Sequence, residues 1–180
     1  MTILSSRKPS RVDAGYAGRF AAAMPPWRAA LLGALLWGLA MGASALAALL
    51  IERWETPSLI GTVVVLFACG GAVAFPPALA LARLLAAGAR TETAFAAAFV
   101  SLAATTIGFT ALFFALYYRS YYAQWHAEPL TRLWAIQFIH TTAGAVYQFA
   151  VLGLRLYFPL GFVALFAGAL TSIRFVRHAR

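Results

Sequence analysis

Residues 133–157 read LWAIQFIHTTAGAVYQFAVLGLRLY. The stretch is mostly apolar, yet it carries Gln137, His140, Thr141, Gln148 and Arg155. At about 100° per residue, Gln137, Thr141, Gly144, Gln148 and Arg155 fall within an arc of roughly 60° on a helix. Their spacings of 4, 3, 4 and 7 repeat as a heptad. His140 stands roughly 60° off the centre of that stripe. The remaining circumference is Leu, Ile, Val, Phe, Tyr and Ala. Lipid leaves a polar side chain unsatisfied, so a narrow polar stripe on an apolar helix must face protein or water.

Working outward, the whole chain shares this apolar character. Of its 180 residues, 63% are hydrophobic and 11% are charged, and the mean hydropathy is +0.81. A soluble domain carries about 25% charged residues, so the deficit points to segments that span a bilayer. The formal charge is +9, from 14 Lys+Arg against 5 Asp+Glu. These bases flank the apolar runs instead of lining one soluble face. The positive-inside bias explains them, and a nucleic-acid partner is not expected. The single cysteine, Cys69, excludes an intrachain disulfide and a Cys-based metal cluster within the chain. Nearly every base is Arg, and Ala is very frequent; we read this as the mark of a GC-rich bacterial gene and expect a bacterial inner membrane.

Four further apolar runs surround the striped segment. Leu31 to Ile51 follows a basic arm, residues 1–25, and is entered through Trp27 and Arg28, the pattern of a cytoplasmic boundary. Ala43-Ser44-Ala45 has the small-residue look of a signal-peptidase site, but the apolar run continues past it and reads as a span. Ala34, Gly38 and Gly42 form a small-residue row that lets another helix approach closely. Ser58 to Leu85 contains Pro76-Pro77, where a kink or break is expected after Phe75. Ala94 to Tyr118 carries Ser101, Thr105 and Gly108 on one face, the expected partner of the polar stripe. Leu160 to Ile173 closes the series, with Pro159 in its first turn. Between the third run and the stripe, Tyr117, Tyr118, Tyr121, Tyr122, Trp125 and Trp134 form an interfacial aromatic belt.

The fold expected is an all-α integral membrane protein with four transmembrane helices plus an outer-face or re-entrant helix; five transmembrane helices is the alternative. The organisation is a basic cytoplasmic tail over 1–25, one transmembrane helical domain over 26–174, and a basic cytoplasmic tail over 175–180. Charge decides for four crossings. With both termini inside, Arg7, Lys8, Arg11, Arg19, Arg28, Arg83, Arg90, Arg174, Arg177 and Arg180 are cytoplasmic and only Arg53, Arg119, Arg132 and Arg155 are outside. A fifth crossing would move the last three Arg residues out.

No acid lies within a span, so the buried carboxylate of proton- and cation-coupled pumps is missing. A P-loop, a dinucleotide fingerprint, HExxH and GxSxG are absent from the sequence. His126, Glu128 and His140 are the one set with acid–base or ligand chemistry, and in the four-crossing arrangement they can converge at the outer face. Their spacing fits no standard zinc motif, so no metal or cofactor is expected. Arg155 either snorkels to an interface or grips an anion such as a lipid headgroup. The leading reading is a non-enzymatic accessory, assembly or scaffold subunit. It packs on other membrane proteins, or on a second copy of itself, through the striped helix. A small transporter or channel with a polar path along the stripe is the alternative, and a lipid-modifying enzyme at the outer face is the third.

Overall fold

A computed structural model describes residues 26–86 and 88–177. Those residues are all-helical, without strands. Helix α1 is Trp27–Ile51, α2 is Pro57–Ala86 and α3 is Thr91–Tyr122. A 3₁₀ turn, Ala123–Trp125, leads to α4, Arg132–Gln148; α5 is Leu160–Arg177. The N-terminal arm lies outside the described residues. The segment expected as a C-terminal tail begins inside a helix, since α5 runs to Arg177.

Three helices, α1 to α3, are long and apolar enough to cross a membrane, and a fourth crossing arises if α4 and α5 count as one bent span. At about 1.5 Å per residue, even α1 exceeds the roughly 30 Å of hydrocarbon. Leu32, Leu35, Leu36, Leu39 and Leu50 lie exposed along α1. Exposed apolar helices of this length suggest a membrane-spanning protein.

The core is stacked in three layers. At the end that carries Arg28, Arg83 and Arg90, here the basic end, alanines from α2 and α3 meet Ala169 and Val176 of α5. The middle layer is Trp37, Met41, Ala78 and Leu102. Toward the opposite, aromatic end, Ala45, Ala48, Leu49 and Phe67 pack on Phe149 and Leu156. Small side chains let the backbones close up. A Cβ on Gly38 would stand 2.7 Å from the Ala68 carbonyl oxygen, so the Gly38–Gly42 row serves the α1–α2 contact within the chain.

Helix α2 runs unbroken through Pro76-Pro77, so of the kink or break expected there a break does not form. Proline can be carried in such a helix where neighbouring helices and local adjustments satisfy the freed carbonyls. The striped segment, in turn, is not one regular helix. It is α-helical to Gln148, widens into a π turn at Phe149–Gly153, tightens into a 3₁₀ turn at Leu154–Tyr157, and then bends by 72° into α5. The bend falls at Phe158-Pro159. Phe158 is extended, with φ −106° and ψ 138°, as the residue before a proline prefers.

Candidate functional site

The bend is held by one hydroxyl. Breaking the helix at Phe158-Pro159 frees backbone groups beside the buried face of α1, where they need partners from the chain. Ser44 Oγ, on the buried side of α1, donates to the Leu156 carbonyl at 3.0 Å and accepts from the Gly161 N–H at 2.9 Å. A single side chain 112 residues away in sequence thus satisfies both sides of the break. The sequence reading gave Ser44 no structural role.

Above the bend, Arg155 Nη2 meets Glu52 Oε2 at 2.9 Å. The anion held by Arg155 is therefore a carboxylate of this chain. Glu52 caps the C-terminus of α1, and its Oε2 also accepts from Trp54 Nε1 at 3.1 Å. The π turn explains why Arg155 leaves the stripe. The 3.6-residue register does not run through residues 149–153, so a heptad extended from Gln148 misplaces position 155.

The rest of the stripe is engaged by its own chain, though not by the partner expected. Gln137 Oε1 accepts from the Ala127 N–H at 2.8 Å. Thr141 Oγ1 donates to the Gln137 carbonyl at 2.8 Å and lies 3.1 Å from His126 Nε2. Gln148 Nε2 donates to Tyr118 OH at 3.4 Å, and a Cβ on Gly144 would face the same hydroxyl at 3.7 Å. Arg119 stands 4.1 Å above the Phe138 ring, a cation–π contact that sequence spacing did not reveal. So α4 packs on the last turns of α3, beyond the point where hydropathy ended that span. Ser101, Thr105 and Gly108 do not meet the stripe: Ser101 is buried, Thr105 donates back to the Ser101 carbonyl at 2.7 Å, and Gly108 is exposed.

His126, Glu128 and His140 do not converge. No group of three His, Cys, Asp or Glu side chains among the described residues could hold a metal ion. His126 is taken by Thr141, while Glu128 and His140 are exposed. The face of α4 turned away from the bundle carries Ile136, Ile139, Ala143, Val146 and Tyr147, with His140 as a polar exception. Ile139 is 65% exposed and Tyr147 is 69% exposed.

One cavity of about 220 Å³ lies between α1, α3 and the start of α5. Its floor is Trp37, whose Nε1 donates to Thr106 Oγ1 at 2.9 Å. Tyr157 lines it as well and donates to the Thr106 carbonyl at 3.5 Å. Thr106 lines it too, and the remaining lining side chains are apolar.

No family model matches the chain, and neither a curated protein nor a solved structure is significantly similar to it.

Proposed function

We propose that the protein is a non-enzymatic accessory subunit of a bacterial inner-membrane assembly, with four crossings and both termini in the cytoplasm. It joins its partner through the outward face of α4. One observation carries this reading. Phe138 of α4 sits under Arg119 near the end of α3, and Arg155 reaches Glu52 at the end of α1, so both ends of the striped segment lie at the aromatic end of the bundle. The segment therefore lies across that end, where headgroups and water begin, and yet it turns Ile139, Val146 and Tyr147 outward. An apolar face at that level favours a protein cover. The polar stripe was the expected contact, but its groups are used within the chain, so the opposite face of the same helix is the one offered.

Photo-crosslinking in the native membrane tests the reading. A reactive residue in place of Ile139 or Val146 should give a discrete protein adduct, whereas one in place of Leu35, exposed on α1, should not. Ile139→Arg should release the partner, read as a fall in native mass in detergent-free nanodiscs. A single-chain mass for the wild type in those nanodiscs would count against it.

The transporter reading is favoured by one feature, the broken helix, since such breaks surround the central sites of many transporters. A polar path along the stripe has less support, because Gln137, Thr141, Gln148 and Arg155 each hold a partner in the chain.

A further inference from the structure

We propose that the cavity between α3 and α5 is a binding site for one acyl chain of a membrane phospholipid, which enters sideways from the bilayer. The wedge has a structural cause. Near the basic end α5 is held to α3 by the Phe95, Phe99 and Phe166 rings, with centroids 5.1 Å apart for Phe99 and Phe166. At its start α5 is held instead to α1, through the Gly161 N–H on Ser44. A helix tied to different neighbours at its two ends leaves a gap on the side it tilts away from.

The lining decides the chemistry of the occupant. Trp37 Nε1 donates to Thr106 Oγ1 and Tyr157 OH donates to the Thr106 carbonyl, so neither donor proton is left for a polar solute. An apolar cavity of this kind stays dry. At about 220 Å³ it is smaller than the roughly 300 Å³ at which pockets for drug-sized ligands begin, which suits a segment of one chain. The rim is made by Ile107, Phe158 and Phe162, all exposed. Ile107 lies halfway along the 32 residues of α3, so the mouth opens at the depth of hydrocarbon, not of headgroups. The neighbour available at that depth is a lipid tail.

Tryptophan quenching by lipids brominated at mid-chain tests this directly, because bromine quenches on contact and Trp37 is only 6% exposed at the protein surface. Trp27, Trp54, Trp125 and Trp134 are replaced by Phe, and the protein is placed in phosphatidylcholine bilayers with and without the bromines. A second reporter, Leu39→Trp with Trp37→Phe added, marks full lipid contact, as Leu39 is 68% exposed on the same helix. Trp37 should lose most of its emission in the brominated bilayer, close to the loss at position 39. Ala103→Phe fills the wedge and should restore most of the Trp37 signal while leaving position 39 quenched. Should that variant not fold, Ile107→Phe narrows the mouth from its exposed rim and should act in the same direction. Equal Trp37 emission in both bilayers, with position 39 quenched, would overturn the proposal. So would quenching that neither plug reduces. An unquenched reporter at position 39 would mean that the helix does not contact lipid, and the site would fall with it.

Discussion

Arg155 Nη2 lies 2.9 Å from Glu52 Oε2 and fastens the end of the bent helix to the C-cap of α1. One nitrogen meets one oxygen, without the paired bonds of a bidentate clamp, and the side chains are 47% and 30% exposed. Such a pair contributes little, about 0–1 kcal/mol. Arg155→Lys should therefore unfold close to wild type in mild detergent, because Lys also places one donor on the carboxylate. Arg155→Leu and Glu52→Gln should each cost at most about 1 kcal/mol. The double variant should cost no more than the larger single one. Additive losses would show that the two residues do not act on each other.

The course of α4 across the aromatic end predicts the topology. If α4 and α5 make one traverse between them, the chain crosses four times and its C-terminus returns to the side of Arg28. A reporter active only in the cytoplasm, fused after Arg180, should be active; one fused after Leu130 should be silent. A silent fusion after Arg180 would mean that residues 132–177 cross twice.

Accessibility along α4 follows from the hydrogen bonds. Gln137→Cys and Gln148→Cys replace groups bonded to Ala127 and Tyr118, whereas His140→Cys lies on the outward face. With Cys69→Ser as background and the protein purified free of its partner, a thiol reagent should modify position 140 faster than position 137, and position 148 slowest. Rapid labelling at both Gln positions would instead describe a water-filled path along the stripe.

How far the sequence reached depends on how local each cause is. The apolar bodies of α1 and α2 follow from hydropathy, and the start of α5 follows from Pro159 as a first-turn proline; the 72° bend before it was not expected. The stripe was readable as a surface needing polar partners. Its partners were not, because the third run was ended at Tyr118 and the aromatic residues beyond read as an interfacial belt, while the structure continues the helix to Tyr122. The π turn at Phe149–Gly153 has no strong sequence signature, so Arg155 was assigned to a face it does not occupy. At Pro76-Pro77 the local rule allowed a kink or a break, and α2 runs through both residues without a break.

Ser44 offers the sharpest test of the bend. Its hydroxyl serves a carbonyl and an N–H that the break at Phe158-Pro159 leaves without helical partners, and Ser44 itself is 1% exposed. Ser44→Ala removes one oxygen, changes the volume little, and strands both backbone groups in an apolar layer. Each stranded group costs about 1–3 kcal/mol, so the variant should be destabilised by several kcal/mol at the upper end of that range and by about 2 kcal/mol at the lower. Ser44→Thr keeps the hydroxyl but adds a methyl where a Cβ on Gly161 would already lie 3.1 Å from Ser44 Oγ. It should retain part of the stability. The measurement is unfolding in mild detergent, with hydrogen exchange at Gly161 as a local readout: the amide should exchange much faster in Ser44→Ala than in wild type. An unchanged midpoint together with an unchanged Gly161 exchange rate would show that another group satisfies the break.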